Sequence, residues 1–130
     1  MVDDPKTVVL VGHCGPDSAL LVGAVRTAVP GARIIKNKNE SDLWADGADL
    51  LLVNRVLDGR YEDGEGLRLI REAVSRGVPA MLISNYADAQ AAAEAAGAVP
   101  GFGKAEARSD KASRAIRGGL GTERDSHADA

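Results

Sequence analysis

At 130 residues, with 45% hydrophobic and 27% charged residues, the chain suits one globular domain that can bury a core without covalent staples. Sixteen basic against nineteen acidic residues leave a formal charge of −3, and aromatic residues make up only 3%, so neither nucleic acid nor an anionic membrane surface is expected as a partner. The single cysteine, Cys14, excludes an internal disulfide; with no amino-terminal signal pattern and no apolar run approaching the ~20 residues of a membrane span, a cytoplasmic location is expected.

Thr7 to Val11 (TVVLV) is β-branched and apolar and reads as a first buried strand, followed by the loop Gly12-His13-Cys14-Gly15-Pro16. Asp17 or Ser18 then caps a helix running to about Val29, where Pro30-Gly31 stops it. That helix is apolar almost all round, so it is either deeply buried or its outer side meets a partner. Ala32 to Ile35 is a short second strand fading into Lys36-Asn37-Lys38-Asn39, and a brief helix around Glu40 to Ala45 carries the only tryptophan, Trp44. Leu50 to Val53 is uniformly apolar, as a strand buried on both faces must be, and it delivers Asn54, Arg55 and Asp58 to its carboxyl end.

After the glycine-punctuated loop RYEDGEG, apolar residues at 67, 70, 73 and 74 recur at helical spacing up to Gly77. Val78 to Ile83 is a fourth strand delivering Ser84 and Asn85. An alanine-rich helix, Ala87 to Ala96, follows, then a short fifth strand, Ala98 to Phe102, leading to Gly103-Lys104. Glu106 to Arg117 forms a last helix with Ala112, Ala115 and Ile116 inward, broken by Gly118, Gly119 and Gly121. Residues 1–119 are thus read as one domain and 120–130 as a disordered tail. Strand-helix units with short connections imply an α/β doubly wound parallel sheet of five strands with helices on both faces, because parallel neighbours need helical crossovers.

Three stretches, ADLLLVNRVLDG, LRLIREAVSRGVPAMLIS and AEAAGAVPGFGK, resemble the receiver domains of two-component response regulators over roughly residues 6–117. Ser84 stands thirty positions after Asn54 and Lys104 twenty after Ser84, close to that family's spacing from phosphoacceptor to switch hydroxyl to lysine. The resemblance implies the flavodoxin-like strand order 2-1-3-4-5. It also exposes departures. The family's acidic pair, which holds magnesium at the end of the first strand, is replaced by Gly12 and His13, and its phosphoacceptor aspartate by Asn54. Magnesium prefers carboxylate oxygens, and an amide cannot form an acyl phosphate. The resemblance therefore implies a phosphorylation-independent pseudo-receiver: no catalytic residue, no metal, no cofactor, and a protein partner in signalling. Asp58 is the nearest other acceptor.

Gly12, His13, Asn54, Ser84 and Lys104 thus mark a degenerate phosphorylation site. Ser84 and Lys104 either bind an anion or persist as structural hydrogen-bonders with no acid left to pair the lysine, while Asn54 is placed to bond Lys104. The alternative is a small-molecule, redox or metal site on the loop Cys14, Gly15, Asp17 and Ser18. Backbone N–H groups at a helix start favour an anion and lower a thiol pKa there. That loop has no arginine at the phosphatase spacing, no second cysteine, and too few ligands for zinc without a fourth such as His127. Receivers dock partners on the surface of the fourth helix, fifth strand and fifth helix, and the resemblance maps it onto Ala89, Ala92, Ala93, Ala96 and Phe102 with the basic row Arg108, Lys111, Arg114 and Arg117. An exposed Leu20 to Ala24 strip on the first helix is the competing surface, for self-association.

Overall fold

The computed structural model describes residues 5–45 and 47–121; the expected tail beyond 121 lies outside them. Four apolar or alternating runs form strands β1 (Thr7–Val11), β2 (Arg33–Asn37), β3 (Leu50–Asn54) and β4 (Ala80–Ile83), all parallel, in the order β2-β1-β3-β4. Between and after them lie helices α1 (Gly15–Ala28), α2 (Glu40–Leu43), α3 (Gly66–Ser75), α4 (Ala87–Ala95) and α5 (Asp110–Leu120). β1 and the first four residues of β3 are buried throughout, which is why their sequences carry no polar alternation. On one face Val8, Leu10, Leu50, Leu52 and Met81 pack with Leu21 and Val25 of α1 and Ile116 of α5. On the other, Val9, Val11, Leu51 and Val53 pack with Leu69, Ile70 and Ala73 of α3 and Ala93 of α4. The sheet is doubly wound, as expected.

The fifth strand does not form among the described residues. Val99 N–H donates to Ala80 O at 2.9 Å, which sets Val99 opposite Met81, yet Phe102 faces Ile83. Three steps along this segment therefore match two along β4, an extra residue that breaks the ladder as a bulge does. Pro100 has no N–H to give, and a Cβ on Gly101 would collide with the carbonyl oxygen of Leu82. The Gln90 side chain of α4 fills the gap: its Nε2 donates to Leu82 O at 2.9 Å and Ser84 O at 3.0 Å, and approaches Phe102 O at 3.3 Å. The strand order is 2-1-3-4, with Ala98–Phe102 held beside β4 by a backbone bond at each end and by the Gln90 amide between them.

Three boundaries also differ. α1 begins at Gly15, with Cys14 as its N-cap and Pro16 in its first turn, so neither Asp17 nor Ser18 caps it; proline's fixed φ and missing N–H suit a helix start. β2 continues to Asn37, whose carbonyl oxygen accepts Tyr61 O–H at 2.6 Å and whose buried side-chain oxygen accepts Asn39 N–H at 3.2 Å, which gives a polar residue a reason to remain in the sheet. α5 starts at Asp110, after a 3₁₀ turn at Lys104–Glu106, and continues through Gly118 and Gly119 to the buried Leu120. Gly119 does not break the helix because it lies against Leu50 and Met81, where a Cβ would crowd Leu50 Cδ1 at 2.9 Å. The core therefore includes Leu120, one residue past the expected boundary.

Candidate functional site

The carboxyl ends of the strands gather the sequence-derived residues in one place, as an open parallel sheet does. Gly12 and His13 follow β1, Lys38 follows β2, Asn54 closes β3, Ser84 follows β4, and Lys104 arrives from the 3₁₀ turn.

Asn54 does not bond Lys104, contrary to expectation. Its Nδ2 donates one hydrogen to Gly12 O at 2.9 Å and the other to Val56 O at 2.7 Å, so both amide protons are committed to backbone carbonyls. Gly12 is glycine because the loop turns back at φ 74°, and a Cβ there would press on Leu57. The same Gly12 carbonyl accepts Asp58 N–H at 2.9 Å. The junction of the β1 and β3 loops is thus closed by donors aimed at oxygen. An aspartate at position 54 would offer neither donor.

His13 is 2% exposed and its Nε2 lies 2.8 Å from Leu52 O, so Nε2 carries the proton; Nδ1 is buried with no hydrogen-bond partner. Burial is the main force on its titration, opposed by the bond to Leu52 and assisted by Lys104 and Lys38, and together these hold its pKa down at about 4. The imidazole is therefore neutral at neutral pH.

Two lysines flank this junction. Lys38 Nζ donates to His13 O at 2.9 Å and pairs with Asp58 at 2.8 Å. Lys104 Nζ pairs with Asp17 Oδ2 at 2.6 Å, both side chains 29% exposed, so an acid does remain for Lys104, supplied by α1 rather than by β3. The lysine, then the thiol of Cys14, hold the Asp17 carboxyl below its usual range. Lys38 carried no signal in the sequence, since only the parallel register of β2 against β1 brings it to the His13 carbonyl. Asp17 reads in the sequence as part of a separate loop because nothing local brings Lys104, 87 residues on, to α1.

On the β4 side the site is open. A cavity of about 220 Å³ is lined by Asn54, Arg55, Val56, Ile83, Ser84, Asn85, Tyr86 and Lys104. Ser84 Oγ accepts Tyr86 N–H at 3.1 Å, Asn85 Oδ1 accepts Ala105 N–H at 3.1 Å, and the Arg55 guanidinium lies 5.0 Å from the centre of the Tyr86 ring. Val56 and Tyr86 are each 60% exposed at its rim.

The structure is similar to that of the receiver domain of NtrX from Brucella abortus, with a TM-score of 0.69 and 20% identity over 90% of this chain and 99% of that one. It has a receiver-domain fold. The signal receiver domain of a DNA-binding response regulator from Colwellia psychrerythraea 34H matches with a TM-score of 0.58 and 20% identity, covering 78% of this chain and 87% of that chain. A response regulator from Thermotoga maritima matches with a TM-score of 0.54 and 26% identity, covering 76% and 82%. No protein-family model matches the sequence, and no curated protein matches it.

The residues in hand do not fit the magnesium ion that receivers hold. Where carboxylates are needed there are a glycine, a histidine whose exposed face is absent and an amide, and the ammonium of Lys38 already sits on the His13 carbonyl. Among the described residues no three of His, Cys, Asp and Glu are grouped to hold a metal ion. In the loop, Cys14 is half-buried, Gly15 is exposed, and Ser18 is buried with its hydroxyl 3.4 Å from His13 O. The loop and the strand-end site are therefore one locality, joined through Asp17 and Lys104, rather than two.

The expected partner surface is partly withdrawn. Ala93 and Phe102 are 0% and 1% exposed and belong to the core, because α4 turns Ala93 onto the sheet and the bulge turns Phe102 under α5. Ala92, Arg108, Lys111 and Arg114 are exposed, while Ala89, Ala96 and Arg117 are partly covered. Arg108 precedes α5, and Lys111 pairs with Glu106 at 3.2 Å, so the basic row is shorter than the spacing implied. On the competing strip Ala24 is buried and Leu20 half-buried against the core, which leaves little apolar surface outside. No helix among the described residues is long and apolar enough to cross a membrane.

Proposed function

We propose that the domain is a signalling module of the receiver type that works without phosphoryl transfer, presenting a fixed surface to a protein partner. The observation that carries this reading is Asn54: an amide with no nucleophilic oxygen, both of whose protons are committed to the carbonyls of Gly12 and Val56. Asp17 supports it by taking the contact with Lys104 that a modified side chain on β3 makes in a receiver. Lys104 is thereby paired without a phosphoryl group or a metal. The partner surface is the exposed part of α4 and α5, where Ala92 allows close approach and Arg108, Lys111 and Arg114 steer an acidic partner. The protein acts as no enzyme in this reading and needs no cofactor.

Incubation with acetyl phosphate and magnesium, followed by intact-mass measurement, tests it. The expected result is an unmodified chain. A stable phosphoryl adduct, at Asp58 or elsewhere, would refute the proposal.

A further inference from the structure

The donors around the β4-side cavity are not all used. Ser84 accepts a backbone N–H but its own hydroxyl proton has no partner among the described residues; Asn85 uses its carbonyl oxygen on Ala105 N–H and leaves its amide hydrogens free. Lys104 commits one ammonium hydrogen to Asp17. Arg55 makes no ion pair among the described residues, and its guanidinium carbon lies over the Tyr86 ring, 5.0 Å from its centre. No acid lines the cavity, while two cations do.

A wall of four donor groups without a carboxylate is the inverse of a metal site and suits an oxyanion. Size narrows the choice. At about 220 Å³ the cavity is smaller than the roughly 300–1,000 Å³ typical of sites that enclose a metabolite or cofactor, yet it has room for the end of one side chain. The rim narrows it further. Val56 and Tyr86, each 60% exposed, give apolar contact area to whatever delivers the anion, and an aromatic ring beneath an unpaired arginine is a frequent energetic anchor of protein interfaces. A free inorganic anion would leave that rim in water.

We propose that this cavity receives an aspartate or glutamate side chain of a partner protein, its carboxylate held by Arg55, Ser84, Asn85 and Lys104 and its apolar neighbours resting on Val56 and Tyr86. The carboxylate that the chain lacks at position 54 is then supplied in trans. This rests on the reading that the site holds its own contacts without a phosphoryl group, and it adds a second contact zone to the α4 and α5 surface.

The test uses the ¹⁵N-labelled domain and a short acetylated, amidated peptide, Ser-Leu-Glu-Leu-Ser, with its glutamine counterpart and inorganic phosphate as parallel arms. Saturable shifts at the amides of Arg55, Asn85 and Tyr86 are expected with the glutamate peptide, with affinity ~10-fold above the glutamine peptide, the size of a charge-assisted hydrogen bond. Arg55→Gln removes most of that difference. Val56→Ser, at an exposed position, weakens the peptide and leaves phosphate unaffected. Equal binding of the two peptides, absence of saturable shifts, or phosphate binding as tightly as the glutamate peptide overturns the proposal. If the chain also stays unmodified by acetyl phosphate, only this interface falls and the phosphorylation-independent reading stands; an adduct would remove that reading by itself.

Discussion

The two halves of the sheet's carboxyl end are built on opposite plans. Between β1 and β3 polar groups are closed against one another: Asn54 on two carbonyls, Lys38 on His13 O and Asp58, His13 on Leu52 O. Beside β4 the groups are open, with the Ser84 hydroxyl, the Asn85 amide and Arg55 facing a cavity without an acid. Receivers couple these halves through a phosphorylated aspartate on the central strand. Here Asp17 of α1 engages Lys104 instead, so the lysine is anchored from outside the sheet. In the proposed reading the closed half fixes a conformation and the open half recognises a partner.

Titration of His13 should break the closed half most strongly. Its folded pKa of about 4 lies below the unfolded value near 6.5, so between these values the unfolded chain binds more protons and stability rises with pH. Falling from pH 6.5 to 4 should cost on the order of 3 kcal/mol from this group alone, since each tenfold change in proton affinity is worth about 1.36 kcal/mol. Urea midpoints across that range should show the slope, and His13→Gln should flatten it. A wild-type profile flat between pH 4 and 6.5 would contradict the assigned burial.

Asn54→Asp is next in size. A carboxylate would face Gly12 O and Val56 O without a proton to give, and a loss of about 2 kcal/mol is expected at neutral pH. The penalty relative to wild type should shrink as pH falls and the carboxyl takes up a proton, because the protonated acid regains a donor. Equal stability of the two chains at pH 7 would mean the amide bonds do not matter.

Gln90→Ala sharpens the contrast from the other side. It removes the donor that substitutes for a fifth strand at Leu82 O, and should cost about 1 kcal/mol with faster hydrogen exchange at Val99 and Ser84. Unchanged exchange there would show that the bulge needs no staple.

Most of the layering was legible in the sequence because it depends on local period and burial: the apolar runs of β1 and β3, and the helical spacing of α3. What was not legible depends on register between distant segments. Ala98 to Phe102 has strand composition, but Pro100 and Gly101 insert a residue that only the opposing Leu82 carbonyl reveals as a bulge. Asn54, Ser84 and Lys104 were placed by spacing. Their partners were not, since Asp17 lies 87 residues from Lys104 and Lys38 20 residues from Asp58 in the chain. The resemblance maps Ala93 and Phe102 onto the outer surface, but a match by position in the chain does not say which face of a short helix or irregular segment meets the sheet.

The central claim is that the site is already in its working arrangement and answers to no phosphoryl group. ¹H–¹⁵N spectra recorded with and without beryllofluoride and magnesium test it most directly, since that fluoride complex mimics an acyl phosphate on an aspartate. Superimposable spectra at Asn54, Ser84 and Lys104 are predicted. Concerted shifts of Ser84, Lys104 and the α4 amides, saturating with magnesium, would contradict the account.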